Sequence, residues 1–300
     1  MTHTADIVLF TVNDFETQEV WRAFGKTDPA KANGTRMYWD YGKIGGARVV
    51  HALTKMADLS AIKSAHAAIE AWSPSLMIAV GIGWGAQRDK QSIGDILVAD
   101  PLVDAAHAKD HFEKGIEPRG DAHLQVDDLR QMLTTCHRDL NGFSAAGQRK
   151  ILFGKLLSLP TLVDNFDTRA RLLAAWPDAI GGEMEGRGFV DAAIERKCDW
   201  LVIKAICDWG YDKNAVDGQK EIDQQDAAAK SADFVRYSVE HGLASYALSQ
   251  RAARGTANAV ANPAPPAAAP VFNIGAVHGT VTGSIETQNI YFGQAGGEGN

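Results

Sequence analysis

Short apolar runs and helically spaced stretches alternate along most of the chain. Ile7-Val-Leu-Phe-Thr-Val12 is a continuous apolar run that reads as a buried strand, and residues 16–24 follow with helical spacing. Residues 36–41 and 47–53 read as paired strands around Gly42, Gly45 and Gly46, and the Ala-rich stretch 60–72 as an amphipathic helix. Residues 76–80 and 95–99 are glycine-bounded apolar runs, expected as inner strands. Further helices are predicted near 127–138, over 166–176 and over 184–196, with a long closing helix over 224–249; strands are predicted over 151–157 and 200–206. Strands alternating with helices predict a three-layer α/β/α domain with a mixed, mostly parallel central sheet covered on both faces. In such sheets ligands sit beyond the strand ends, so the loops that follow strands are where chemistry is sought.

The pattern breaks after the closing helix. From Gly255 to Pro270, eleven of sixteen residues are Ala or Pro without apolar periodicity, a linker composition that builds no core. Beyond it, Gly275, Gly279 and Gly283 alternate with Val277, Val281 and Ile285, so that an extended strand places all six on one face. The expected organisation is a catalytic domain over 1–253, a linker over 254–270 and a short β-ribbon tail over 271–300. A lone ribbon cannot bury its apolar face by itself, which predicts assembly or docking to another protein.

Composition narrows the class. The 300 residues are 45% hydrophobic and 22% charged, which suits a globular fold with a sizeable core. Thirty Lys and Arg against 37 Asp and Glu leave a formal charge of −7, which argues against nucleic acid as the main partner. No run approaches 18 apolar residues, so no membrane span is expected, and no secretory signal is visible at the N-terminus. Cys136, Cys198 and Cys207 lack metal-ligand spacing and read as reduced cytoplasmic thiols.

Three segments carry candidate chemistry. In Thr11-Val-Asn-Asp-Phe-Glu16 a strand end is followed by acids opening a helix; Asp14 or Glu16 either complements the helix N-terminus or serves a site. In Gly181-Gly-Glu-Met-Glu-Gly-Arg-Gly188 two acids flank a methionine among glycines that permit close approach of backbone to ligand. Glu183 and Glu185 point the same way while the chain is extended, so one of them can face a cavity. In Lys204-Ala-Ile-Cys-Asp208-Trp an apolar strand ends in an acid, which either caps the next turn or acts at the strand mouth.

Together these segments resemble the nucleoside phosphorylase/nucleosidase superfamily, specifically the 5′-methylthioadenosine/S-adenosylhomocysteine nucleosidases, over roughly residues 5 to 248. Val80-Gly-Ile-Gly-Trp-Gly85 followed by Ile93-Gly-Asp-Ile-Leu-Val98 is similar to that family's glycine-rich turn and next strand. Gly182-Glu-Met-Glu185 is similar to its ribose-binding signature, and Ala205-Ile-Cys-Asp208 to the strand carrying its catalytic aspartate.

The resemblance implies a phosphorylase-like fold and roles for these residues. Asp208 would protonate purine N7 as general acid, and Glu16 would activate the attacking water. Glu185 would hold ribose hydroxyls and stabilise an oxocarbenium-like sugar, with Met184 under the sugar and Glu183 beside it. Gly83 and Gly85 would let backbone approach the ribose, and Leu162 and Val163 would contact the base. Lys204 stands where the family has arginine and counts with the substrate-binding residues; Cys207 stands where serine is common, and Trp84 is bulky for its turn. No metal or organic cofactor is implied.

The sequence lacks the Gly-Asp-Pro-x-Arg loop of bacterial purine phosphorylases, so water is favoured over phosphate as acceptor. His107, Lys109 and His111, with Lys114 and Arg119 beyond them, lie where the family builds its 5′ pocket. They read either as contacts to phosphates or as solvated loop charges. The tail resembles short C-terminal segments of effectors in bacterial conflict systems. The leading expectation is therefore a cytoplasmic, homo-oligomeric N-glycosyl hydrolase that releases adenine from nucleosides or nucleotides, an ATP-depleting effector in antiviral defence. The alternatives are a salvage methylthioadenosine/adenosylhomocysteine nucleosidase, a phosphorylase, and a non-catalytic nucleotide sensor.

Overall fold

A computed structural model describes residues 4–32, 36–54, 58–106, 108–111, 115–118, 120–139, 149–211 and 218–261. In chain order the elements are β1 (Ile7–Thr11), α1 (Asp14–Phe24), β2 (Ala30–Ala32), β3 (Arg36–Ile44), β4 (Ala47–Leu53), α2 (Asp58–Trp72), β5 (Leu76–Gly85) and β6 (Ile96–Asp104). Then follow β7 (Ala108–His111), β8 (Gly115–Pro118), β9 (Ala122–His123), α3 (Asp127–Asp139), β10 (Ile151–Ser158), α4 (Phe166–Ala175), β11 (Ala179–Glu183) and α5 (Gly186–Glu195). β12 (Asp199–Asp208), α6 (Gln219–Ser238), a π-helical turn (Val239–Leu243) and α7 (Ala244–Ala261) complete the described chain. The predicted strands and helices are present, and β2, β7, β8, β9 and β11 are additions too short or too polar to stand out by periodicity.

One mixed sheet runs in the order β11-β10-β6-β12-β5-β1-β4-β3-β2, with β9 on β6. The inner pairs β4–β1, β1–β5 and β5–β12 are parallel, whereas β12–β6 is antiparallel. At the far end β11 returns to pair with β5, Gly181 opposite Gly85 and Gly182 opposite Trp84. Strands β5, β12, β6, β10 and β11 thus close on themselves.

Alternation along each strand feeds separate cores. Ile7 and Leu9, Ile78 and Val80, and Leu201 and Ile203 face α1, α3 and α6, against Val20, Leu129, Phe234 and Val235. Val8 and Phe10, Met77 and Ala79, and Trp200 and Val202 face α2 and α5, against Ala65, Ala68, Phe189 and Val190. This period of two is what a sheet covered on both faces requires. A third cluster joins Trp84, Leu157, Val163, Leu172 and Trp176 under α4.

The chain's first compact unit runs from Met1 to Ala257. α7 continues to Ala261, so the segment expected as linker from residue 254 is helical in its first part. Ala, Thr and Asn do not stop the helix, and the first proline is Pro263, beyond its end. The rest of that linker and the expected ribbon over 271–300 lie outside the described residues. Among the described residues no helix is long and apolar enough to cross a membrane.

Candidate active site

The ends of β1, β5, β11 and β12 surround a cavity of about 230 Å³. Val12, Asn13, Glu16, Ile82, Gly83, Trp84, Leu162, Gly182, Glu183, Met184, Glu185, Cys207, Asp208, Lys220 and Gln224 line it. All three segments singled out in the sequence therefore converge on one space, at the position that open α/β sheets reserve for ligands.

Glu16 occupies the third position of α1 and forms a capping box with Asn13. Its backbone N–H donates to Asn13 Oδ1 at 2.9 Å, and Glu16 Oε2 accepts from the N–H groups of Val12 and Asn13 at 2.7 and 3.3 Å. Oε1 accepts from Ile82 N–H at 2.9 Å. A Cβ on Gly81 would collide with this carboxylate, so the glycine in β5 is a condition for seating Glu16. Three N–H bonds occupy most of the acceptor sites of a carboxylate and leave room for about one more donor. Helix capping and cavity lining are both properties of this residue.

A directed hydrogen-bond chain holds the same corner from below. Thr17 Oγ1 donates to Asn13 O at 2.8 Å, Thr11 Oγ1 lies 2.8 Å from Thr17 Oγ1 and 2.7 Å from His51 Nε2, and Tyr41 Oη lies 3.0 Å from His51 Nδ1. Each hydroxyl has one proton. Thr17 gives its proton to Asn13, so Thr11 must donate to Thr17. His51 Nε2–H then donates to Thr11, and Nδ1 accepts from Tyr41. Complete burial disfavours the imidazolium and pushes the pKa down to about 3, which keeps Nδ1 an acceptor.

The two glutamates of β11 and its exit turn diverge. Glu183 folds back onto the start of α5, where Oε2 accepts from Glu185 N–H at 3.1 Å and Gly186 N–H at 2.8 Å. A carboxylate suits the positive end of a helix. Glu185 is no longer extended (φ −124°, ψ −18°). Behind both sits Lys204, 1% exposed, with Nζ 3.6 Å from Glu183 Oε2 and 3.5 Å from Glu185 Oε2. Burial alone would lower the lysine's pKa, but the charges of Glu185, Glu16 and Glu183 outweigh it and raise it. Burial pushes Glu185 up; Lys204 opposes this, Glu183 and Glu16 reinforce it, and the result is about 7. Glu185 can thus exchange a proton near neutrality.

Asp208 ends β12 just past a bulge, where Ile206 pairs with Gly83 and Asp208 with Trp84. Oδ1 accepts from Gly210 N–H at 2.7 Å, and the Cys207 thiol lies 3.2 Å from Oδ2. The acid caps the next turn and lines the cavity at once.

The sequence profile of the phosphorylase superfamily matches residues 7–240. The chain belongs to that superfamily. A death domain-containing ATP nucleosidase of Amphimedon queenslandica is 28% identical over 235 residues, covering 69% of this chain and 42% of the relative. The chain therefore spans less than half the length of that protein. A 5′-methylthioadenosine/S-adenosylhomocysteine nucleosidase of Listeria monocytogenes is 24% identical over 178 residues, 58% of this chain and 74% of the relative. Among solved structures, the enzyme of that name from Neisseria meningitidis, in complex with methylthio-immucillin-A, superposes with a TM-score of 0.64 at 18% identity, covering 78% of this chain and 98% of that one. The expected three-layer fold is thus the superfamily's fold.

Within this member of the superfamily, Glu16, Gly83, Leu162, Glu183, Met184, Glu185 and Asp208 line the cavity together. Lys204 stands behind the glutamates rather than in the wall. Gly85 and Val163, expected at the sugar and the base, are not among the lining residues. Gly85 is small because a Cβ would lie 2.8 Å from the Trp209 ring and 2.9 Å from Ile206 Cδ1, and Val163 packs in the third core. Gly182 and Gly83 serve strand closure more than ligand approach: a Cβ on Gly182 would meet the Trp84 indole at 2.5 Å, and one on Gly83 the Gly182 carbonyl at 2.7 Å. Trp84 is accommodated by those missing side chains. His107, Lys114 and Arg119 lie outside the described residues, and Lys109 and His111 are placed only as backbone of the β7–β8 ribbon.

Sequence reasoning missed Lys220 because the closing helix begins at Gln219 rather than 224, and with it Gln224, one turn on along the same face. Its signal was Gly218, whose left-handed backbone (φ +74°) precedes the first turn.

Proposed function

We propose that this protein hydrolyses the N-glycosidic bond of adenine nucleosides or nucleotides and releases adenine. The observation that carries the reading is the convergence of Asp208, Glu185 and Glu16, from three distant segments, on one cavity. Asp208 delivers a proton to the purine as it leaves, Glu16 holds and deprotonates the attacking water, and Glu185 in its ionised form faces the sugar as positive charge develops there. Met184 and Leu162 supply apolar contact to sugar and base. Lys204 and Glu183 act from behind, setting the position and charge of Glu185.

The relative named as an ATP nucleosidase supports nucleotides as substrates. The relatives named as methylthioadenosine/adenosylhomocysteine nucleosidases support the second reading, a nucleosidase acting on thioether nucleosides. The larger reading is an ATP-depleting effector of antiviral defence, acting in the cytoplasm as a homo-oligomer, with residues 1–253 catalytic and the 271–300 ribbon docking a partner. Chromatography of adenine released from ATP, AMP, adenosine, methylthioadenosine and adenosylhomocysteine, with and without inorganic phosphate, tests the proposal. Adenine together with a free sugar is expected; a requirement for phosphate with a sugar 1-phosphate product would make it a phosphorylase, and binding without cleavage a sensor.

A further inference from the structure

We infer that Lys220, with Gln224 one turn on, receives the anionic 5′ extension of an adenosine polyphosphate and so sets the enzyme's preference for nucleotides over nucleosides. The inference rests on the glycosidic reading of the cavity and concerns a wall which that reading leaves unused. With Asp208 and Leu162 at the base and Met184 and Glu185 at the sugar, the part of the lining given no role includes Val12 and Asn13 with Lys220 and Gln224. These belong together, because α6 packs along α1: Arg22 Nη2 donates to Asp233 Oδ1 at 2.6 Å and to Ala229 O at 3.4 Å.

Charge then selects the ligand. The cavity is lined by four carboxylates, Glu16, Glu183, Glu185 and Asp208, and Lys220 is the cation among its described lining residues. Lys204 is spent on Glu183 and Glu185. Lys220 makes no ion pair or hydrogen bond with any described residue, so it does not serve to neutralise those acids by contact. Residues 220 and 224 share a helix face, and both are half-buried and polar. A thioether tail laid on them would desolvate an ammonium group and an amide without giving either a partner. Phosphate oxygens satisfy both, the lysine acting as a point charge and the amide as a donor.

The test uses the full-length chain and compares kcat/KM for ATP and for methylthioadenosine in wild type, K220M, K220R and K220E. The wild type is expected to favour ATP. K220M should shift the ATP-to-methylthioadenosine ratio roughly ten- to hundredfold through KM, K220E should shift it further, and K220R should restore most of it. Inorganic triphosphate should compete with methylthioadenosine in the wild type and lose potency in K220M. An unchanged ratio in K220M and K220E, or a wild type that cleaves methylthioadenosine but not ATP, overturns the inference while leaving the glycosidic reading standing. Release of adenine from no substrate overturns both.

Discussion

Two buried polar clusters meet at Glu16 and are built on opposite principles. On one side Lys204, Glu183 and Glu185 form a charged group with ion-pair distances of 3.5 to 3.6 Å, and its members share one cation among more than one acid. On the other side Tyr41, His51, Thr11 and Thr17 form a neutral chain in which each proton has one acceptor. In the first cluster burial, reinforced by the charges of Glu183 and Glu16 and opposed by Lys204, lifts the pKa of Glu185 to about 7 and leaves a carboxyl facing the cavity ready to change charge. The second changes charge only by protonating His51 Nδ1, which gives up the proton donated by Tyr41 and which complete burial opposes. Reactivity and rigidity are assigned to different neighbours of one residue, a division that a site needing both precise placement and proton transfer requires.

The comparison can be broken most forcefully at the reacting end. Asp208→Asn should lower kcat for adenine release about 10²- to 10⁴-fold while retaining ligand binding by calorimetry; unaltered turnover would remove Asp208 from the mechanism. Next in size, Lys204→Met strands two carboxylates in a buried space and should cost about 3–5 kcal/mol of stability in urea unfolding. A loss below 1 kcal/mol would mean that the glutamates simply take up protons when the lysine goes.

Smaller effects follow on the neutral side. His51→Phe removes the middle of the chain and should cost about 1–3 kcal/mol for the Tyr41 hydroxyl left without its acceptor, together with a fall in kcat at little change in KM as the Glu16 corner loosens. The wild-type imidazole should show an Nε2-protonated, Nδ1-unprotonated signature by ¹⁵N NMR. The opposite tautomer would contradict the proton count.

The subtlest test is pH, where the two clusters have opposite signs. The folded pKa of Glu185 lies above its ordinary value of 4.5, so its contribution to stability is full below pH 4.5 and is lost as pH rises through about 7. For His51 the folded value of about 3 lies below the ordinary 6.5, so its contribution is full above pH 6.5 and is lost as pH falls toward 3. Glu185→Gln should therefore remove a fall in Tm between pH 4.5 and about 7, and His51→Phe a rise in Tm between about pH 3 and 6.5; identical curves would show that the groups do not titrate as their burial demands.

Much of the architecture was readable from pattern. Strands such as Ile7–Thr11 and Asp199–Asp208 announce themselves by apolar runs, and helices such as Asp14–Phe24 by spacing and an Asn-x-x-Glu cap, because burial on both faces and helix ends constrain residue type locally. For Glu16 and Asp208 the sequence posed a choice between capping and lining the cavity, and the structure makes both true: a carboxylate has enough acceptor sites to hold a turn and still face a ligand. The divergence of Glu183 from Glu185 was hidden, because extended-chain alternation fails where the strand ends and free helix N–H groups draw one side chain back.

By itself, then, the sequence determined the order of elements, the faces of the strands and the three acid-bearing segments, since those depend on neighbours a few positions away. Only the tertiary structure decided that Gly85 and Val163 belong to packing, that Lys204 sits beneath two glutamates, and that Lys220 joins the cavity wall. Those outcomes depend on which strands close on each other and where α6 crosses α1, and contacts between residues far apart in the chain leave no periodic trace along it.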